Sequence, residues 1–445
     1  MLRRFQKRYR GAKSPLPTAG RRPKAGRGGG MGVLLKVGDR VRTGIGDVAF
    51  GGDGVAKVSD LVFFVPFTVD GDEAEVKITV IRKRYARGRL VRIVAPSRHR
   101  VPPVCPYYTC CGGCRMQHIA YDHQLELKRR QVEEIFKRIA GVSHPPVAPP
   151  IPSPRPFGWR GKAEFHLAGD CGGPHRTGLM ALASHELIEV ERCAIVEESI
   201  NGKYREFRKA LRAGEIRDPG ERQVIWSDEP GEPPTEIFTG SGRPPDVERV
   251  VRDRRLTVPE RGFFQANIAL VGELVEQVVG MCGLTGRETV IDAYGGAGLF
   301  SLFLGPRAGR LFGIEGDREA VRCAGINLRR EGLLQAGFLH GDVADILRNE
   351  FASGRRTADV IVLDPPRDGC GEGVLEVVAS LHPERIVYIS CNPATQARDV
   401  RLLAGHGYGL RLLQPLDMFP QTAHIEVVAL LTKVPAGTVA ASSPA

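Results

Sequence analysis

Cys391 is the residue whose setting asks most directly for a chemical role. It follows the apolar run Arg385–Ile389, which reads as a buried strand, and precedes the turn-forming pair Asn392-Pro393. A single cysteine is most often a small buried hydrophobe. At the end of a buried strand, however, it lies on the rim where α/β folds bind their ligands, and a thiolate there is a nucleophile. Such a thiol suits addition to carbon 6 of uracil. Carbon 5 of that base is too weakly nucleophilic to take a methyl group unaided, and addition at carbon 6 makes it enolate-like. A base must then take the carbon 5 proton so that the thiolate can leave. Glu426, just before the apolar run Val427–Leu431, is the candidate base, against the plainer reading of a strand-end carboxylate. His424, two residues earlier on what reads as the same strand face, is taken as structural.

A second constellation points to a cofactor. The strand-like run Thr289–Ala293 leads into Gly295-Gly296-Ala297-Gly298, where glycines let the backbone approach a ligand and turn into a helix. Alone this is weak, because nicotinamide and flavin enzymes use similar turns. The next strand-like run ends in Glu315, seventeen residues past Gly298, placed to accept from both hydroxyls of an adenosine ribose. A further apolar stretch ends at Asp342, and another at Asp364-Pro365-Pro366-Arg367. Any one of these acids could simply cap a following helix. Three in order behind one glycine turn point to S-adenosylmethionine, and the double proline argues against a dehydrogenase.

The third constellation is sulfur. Of ten cysteines, Cys105, Cys110, Cys111 and Cys114 fall within ten residues, with Gly112-Gly113 allowing a tight turn. No export signal precedes them, which argues against a disulfide framework. Four thiolates suit zinc or an iron–sulfur cluster, and the paired CxxC knuckles that would favour zinc are missing.

These residues need positioning elements, and the pattern of the chain supplies them. Five short strand-like runs, Asp39–Thr43, Gly54–Lys57, Leu61–Pro66, Glu73–Ile81 and Gly88–Ile93, suggest an N-terminal barrel of the oligonucleotide-binding type. An amphipathic helix is expected over Tyr121–Ile139, then a Pro-rich boundary or linker over His144–Pro156. Residues 157–255 mix strand-like runs with a helix at Glu197–Ala213 and read as a central α+β domain. From about Phe263 to Thr432 helix and buried strand alternate, so an α/β, doubly wound, Rossmann-like parallel sheet is expected. The domain reading is a basic tail at 1–33, a barrel at 34–95, a central domain at 96–256, a catalytic domain at 257–435 and a flexible tail at 436–445.

Charge is distributed unevenly. The net charge is +12, but residues 1–30 carry ten Lys and Arg with no acid, leaving +2 for the rest. That tail is either an electrostatic arm or a consequence of the start assignment, with Met31 as the alternative start. The local run Arg82, Lys83, Arg84, Arg87, Arg89, Arg92, Arg98 and Arg100, with Tyr85 interleaved, is the better sign of a phosphate-contacting surface. No long apolar run and no signal-like h-region are seen, so no membrane partner and a cytoplasmic location are expected. A monomer is expected.

The strings FFQAN (Phe263–Asn267), DAYGGAG (Asp292–Gly298), LDPPRDG (Leu363–Gly369), YISCNPATQARDV (Tyr388–Val400) and DMFPQTAHIE (Asp417–Glu426) together resemble the RNA uracil-5-methyltransferase family, particularly its bacterial 23S ribosomal RNA members. The likeness covers about residues 36–432, and the barrel resembles the small RNA-binding domain known as TRAM. It implies Cys391 as nucleophile and Glu426 as proton acceptor. It implies Gln265, Tyr294, Glu315, Asp342 and Asp364 as S-adenosylmethionine contacts. It also implies a [4Fe-4S] cluster on Cys105, Cys111 and Cys114 with Cys193 as the fourth ligand, Cys171 being the lesser alternative. A radical enzyme would instead need CxxxCxxC spacing and an open iron. Leu299 and Tyr294-Gly295 depart from the usual family residues but leave the backbone cradle intact. The implied partner is RNA, 23S ribosomal RNA in the first place, with transfer RNA as the alternative. In another class stands a non-catalytic RNA chaperone, which would need neither Cys391 nor Glu426. A cytosine-5 enzyme would carry its cysteines in other strand-end motifs. Phe263 is read as a stacking platform for a displaced base or as core.

Overall fold

Alternating apolar and polar residues between positions 40 and 95 produce six strands where the sequence pattern suggests five. They are β1 (Arg40–Gly44), β2 (Asp47–Val48), β3 (Asp53–Val58), β4 (Leu61–Pro66), β5 (Glu73–Ile81) and β6 (Tyr85–Ala95), in the order β1-β5-β6-β4-β3-β2. The structure, a computed structural model, describes residues 35–168, 175–216, 220–228, 246–354 and 356–434. The two tails and Cys171 lie outside the described residues. Register shifts along the β5–β6 ladder bend the sheet so that Ala74, Val76, Ile78, Phe63 and Val65 close on one another. Gly88 is required where these strands cross, since a Cβ there would lie 2.1 Å from Val76 Cγ1.

Helix α1 (Tyr121–Ile135) joins this sheet to the rest of the molecule. Its Leu127 packs with Val48, Val69, Met116 and Ile119, while Val132 belongs to the core of the C-terminal sheet. The helix widens to a π turn over Phe136–Ala140 and stops at Gly141, whose φ is 75°. The Pro-rich stretch is not a free linker. Ala148 and Ile151 donate to the carbonyls of Leu413 and Pro415, and Leu413 donates to Pro146. Prolines suit such an edge position because they cannot template further strands.

Strands β7 (Lys162–Ala168), β8 (Arg176–Met180) and β9 (Leu187–Glu189), helix α2 (Glu198–Arg212) and β10 (Arg222–Trp226) follow. The four strands form one antiparallel sheet in the order β10-β7-β8-β9. The Tyr204 ring of α2 stacks on Phe165 at 3.7 Å. A hairpin, β11 (Val247–Val251) and β12 (Arg254–Val258), had no clear sequence signal.

The C-terminal region carries α3 (Ile268–Cys282), β13 (Thr289–Ala293), α4 (Leu299–Leu304), β14 (Arg310–Glu315), α5 (Arg318–Arg330), β15 (Ala336–His340), α6 (Val343–Ile346), β16 (Val360–Leu363), α7 (Glu372–Ser380), β17 (Arg385–Ser390), α8 (Pro393–Gly405), β18 (Tyr408–Leu416) and β19 (Glu426–Lys433). The sheet order is β15-β14-β13-β16-β17-β19-β18. The first five strands are parallel, as the alternation of helix and strand predicts. β19 departs from an all-parallel sheet by running antiparallel between β17 and β18. The short connection from β18 to β19 contains no helix, so it can only reverse the chain.

Candidate active site

The antiparallel register of β17 and β19 runs from Arg385 opposite Thr432 to Ser390 opposite Val427. The next position outward holds Cys391 on one side and Glu426 on the other. The parallel neighbour β16 ends at Leu363, paired with Tyr388, so Asp364 emerges at the same end of the sheet. Gln396 of α8 ties β17 and β19 together, its Nε2 donating to Tyr388 O at 2.8 Å and to Val427 O at 3.0 Å. Sequence reasoning passed over Gln396, though it sits inside the quoted YISCNPATQARDV string.

Cys391 leads into α8, whose N-terminus is capped by Asn392 Oδ1 accepting from Ala394 N, with Pro393 at the first helical position. Asn392 Nδ2 and Thr395 Oγ1 each donate to Arg367 O at 3.1 Å, which fixes the Pro365-Pro366-Arg367 loop against the cysteine. Burial, then the Glu426 carboxyl, pushes the Cys391 thiol up to about 11, while the Arg367 guanidinium opposes them. Burial and the Asp364 charge raise Glu426 well above the usual carboxylate range, again opposed by Arg367. Both groups are thus held toward their protonated forms even with Arg367 opposing, and each must give up its proton before it can act as nucleophile or base.

The final strand begins at Glu426, so His424 lies in the irregular segment before it and not on a strand face. Its ring sits edge-on to Phe419 at 5.9 Å. Burial, with Arg367, Lys128 and Arg160 nearby, pulls it down to about 4, so it stays neutral.

The glycine turn is strained where a ligand would approach. Tyr294 has φ 64°, Gly296 φ 55° and Gly298 φ 88°. Glu315 closes the turn, its Oε2 accepting from Gly296 N at 3.0 Å and its Oε1 from Asp317 N at 2.7 Å. Asp342 caps α6 by accepting from Asp345 N. Gln265 is buried on the segment before α3. The sequence reading missed Asp292, the first residue of DAYGGAG. It is completely buried, accepts from Ser301 Oγ, and leaves Oδ1 without a partner. Burial raises Asp292 to about 6, and burial plus Asp292 raises Asp364 to about 7. The buried Asp292 and the partly exposed Asp364, both short of a counter-charge, are suited to a ligand carrying ammonium and sulfonium groups.

Phe263 is 76% exposed, so the core reading of that ring fails. The basic run divides. Arg82, Lys83, Arg84 and Arg89 are exposed, whereas Arg92 pairs with Glu75 at 2.7 Å and Arg100 with the buried Asp72 at 2.6 Å.

Cys105, Cys111, Cys114 and Cys193 line one cavity of about 490 Å³, together with Arg160 and Gln117. Cys110 is exposed and does not line it. Asn201 holds Cys193 in place by reciprocal hydrogen bonds with its backbone N and O. Burial raises Cys111 and Cys193 and takes Cys114 up to about 12, so these thiols need a cation to ionise. Among the described residues the one His/Cys/Asp/Glu triple drawn within 4.8 Å is Asp70, His99 and His123, not a set of these sulfurs. A single tetrahedral zinc would hold its sulfurs about 3.8 Å apart. Arg115 and Met116, just past Cys114, both donate to Gln421 O, tying the cysteine loop to the segment before Glu426.

The family model described as tRNA (Uracil-5-)-methyltransferase matches residues 345–434, and that of the TRAM domain matches residues 34–91. A Halalkalibacterium halodurans protein named an uncharacterized RNA methyltransferase is 34% identical, over 88% of this chain and 97% of its own length. One from Listeria monocytogenes with the same description is 32% identical, over 89% and 98%. The crystal structure of the Pyrococcus abyssi tRNA (uracil-54, C5)-methyltransferase in complex with S-adenosyl-L-homocysteine has a TM-score of 0.67 at 24% identity, covering 88% of this chain and 100% of that one. That likeness shows the fold.

Proposed function

Because this chain belongs to the RNA uracil-5-methyltransferase family, we propose that it methylates carbon 5 of a uridine in 23S ribosomal RNA through a covalent adduct on Cys391. The observation that carries this reading is the register that sets Cys391 and Glu426 opposite each other beyond Ser390 and Val427. Cys391 adds its sulfur to carbon 6, and the electron pair moves toward the carbon 4 oxygen. Arg367 favours the thiolate that this step needs. Carbon 5 then forms its bond to the methyl group as the methyl–sulfonium bond breaks, its electron pair staying on that sulfur. Glu426, as its carboxylate, takes the carbon 5 proton, the carbon–sulfur bond breaks with its electron pair returning to sulfur as the thiolate, and the double bond returns.

S-adenosylmethionine, when bound, supplies an electrophilic methyl group. Tyr294, Glu315, Asp342, Asp364 and Gln265 are the residues that would hold it, with Asp292 beneath. A [4Fe-4S] cluster on Cys105, Cys111, Cys114 and Cys193 would serve to orient the loop that hydrogen-bonds Gln421. The exposed Arg82, Lys83, Arg84 and Arg89 provide phosphate contacts, and exposed Phe263 a surface on which a displaced base stacks.

The test uses 23S ribosomal RNA fragments and transfer RNA carrying 5-fluorouridine. Fluorine does not leave as a proton, so a denaturation-resistant adduct is expected on ribosomal RNA and lost in Cys391→Ala. An adduct on transfer RNA alone would move the substrate there. No adduct on either RNA, with S-adenosylmethionine still bound, would favour the chaperone reading.

A further inference from the structure

Three segments whose Asp70, His99 and His123 do not line the cysteine cavity meet where the barrel abuts α1. Asp70 lies in the turn between β4 and β5, His99 between β6 and α1, and His123 in the first turn of α1. Their ligand-type atoms all lie within 4.8 Å of one another. The two imidazoles stack face to face at 3.6 Å, inclined by 7°. His123 is 5% exposed, yet carboxylates confront both of its nitrogens. Nε2 is 2.8 Å from Asp70 Oδ1, and Nδ1 is 3.2 Å from Glu126 Oε2.

A neutral imidazole carries one N–H, so it can satisfy only one of two carboxylates. The other contact needs either a second proton on the ring or a cation between the ring and the carboxylate. A ligating histidine commonly donates its remote N–H to a carboxylate, which fixes the tautomer and raises its basicity. Glu126 stands in that relation to His123 Nδ1, leaving Nε2 and Asp70 Oδ1 facing each other. Two donors about 2.0–2.1 Å from a tetrahedral ion are roughly 3.3 Å apart. The observed 2.8 Å therefore needs only a small opening to admit one. His99 supplies a third donor beside them.

We propose that Asp70, His99 and His123 form a site for a divalent transition-metal ion of the zinc class, oriented by Glu126 and completed by water. Two imidazoles and one carboxylate are a borderline donor set that suits zinc or cobalt over calcium or magnesium. The ion would cross-link the RNA-binding sheet to the helix that docks on the catalytic loop. Two cationic groups border the site. Arg98 donates to His99 Nε2 at 3.0 Å, and Arg130 lies 3.8 Å from Asp70 Oδ2. Arg98 is exposed and is the group that a metal on that nitrogen would displace.

The full-length protein is stripped with a weak chelating resin and titrated with Co²⁺ alone, followed by visible absorption and thermal denaturation. One equivalent should bind with nitrogen/oxygen-type bands, without sulfur-to-cobalt charge transfer, and raise the melting temperature. His99→Ala and Asp70→Asn, both at partly exposed positions, should weaken binding at least tenfold and abolish the thermal shift. Arg98→Ala should bind severalfold tighter. The site is overturned by the lack of a saturable signal, by a signal unchanged in His99→Ala, by one carrying thiolate charge transfer, or by weaker binding in Arg98→Ala.

Discussion

Lys128 Nζ lies 2.6 Å from Asp417 Oδ1, and both side chains are completely buried. The pair joins α1 to the chain just beyond β18, and Lys128 also donates to Phe419 O. The segment from Asp417 to Ile425 delivers Glu426 to the site, so this ion pair sets where the candidate base enters. Gln124, one turn earlier on α1, exchanges hydrogen bonds with Gln421 across the same contact.

Breaking a buried pair strands an uncompensated charge. Lys128→Met should cost about 3–5 kcal/mol, and Lys128→Met with Asp417→Leu should recover most of it. Thermal or denaturant unfolding of the three proteins checks this. A double variant no more stable than the single would contradict it.

Glu426→Gln should leave adduct formation intact and block its resolution. Turnover should fall by roughly 10²–10⁴-fold, the usual worth of a positioned base. On unmodified RNA with S-adenosylmethionine, a denaturing gel should show a protein–RNA band that the wild type does not accumulate.

The raised thiol of Cys391 gives the reaction a sign in pH. The thiolate reacts, and burial pushes the free thiol up to about 11. Trapping of 5-fluorouridine RNA should thus speed up about tenfold per pH unit through neutrality and beyond. Arg367 is the cation that lowers the thiol, so Arg367→Gln should displace the profile to higher pH and slow trapping at pH 8. A flat profile in the wild type would refute the assignment.

Asp364 should trade stability for ligand binding. Its carboxyl is raised in the fold to about 7, so its contribution is fully present at low pH and is lost as pH climbs from the unfolded value through about 7. Asp364→Asn should make the ligand-free protein more stable at pH 8 and flatten that pH dependence. It should also weaken S-adenosylmethionine binding at least tenfold, as read by calorimetry.

Substitution of Cys105, Cys111, Cys114 or Cys193 by serine should each remove most of the iron and the broad visible absorbance of anaerobically purified protein. Cys110→Ser, altering an exposed thiol outside the cavity, should leave both unchanged. Iron and sulfide analysis of the five variants separates these outcomes.

Much of the site could be read locally. Cys391-Asn392-Pro393, the glycine turn and the strand-end acids Glu315 and Asp364 are set by short-range rules, because a parallel strand must end in a turn and its rim is where ligands bind. The strands and helices fell close to their expected bounds for the same reason, since side-chain periodicity is a local property. The eight basic residues from 82 to 100 show where local reading stops. Nothing nearby in sequence reveals that Arg100 is consumed by Asp72, which lies on the other side of a hairpin.

What the chain by itself determined is its inventory: a strand-end thiol, a glycine turn, a thiol-rich loop and a basic strand. The tertiary structure decided their partnerships. Antiparallel insertion of β19 sets Glu426 opposite Cys391, and the pairing of β13 with β16 brings Asp292 and Asp364 together at one end of the sheet. Cys193 is carried to the cavity by α2 and the antiparallel sheet around it. The Pro-rich stretch becomes a strap on β18, and Asp70, His99 and His123 converge from three segments. Each depends on register, burial or chain reversal between residues distant in sequence. Those are decided by which apolar surfaces bury one another, and no short window of sequence contains that information.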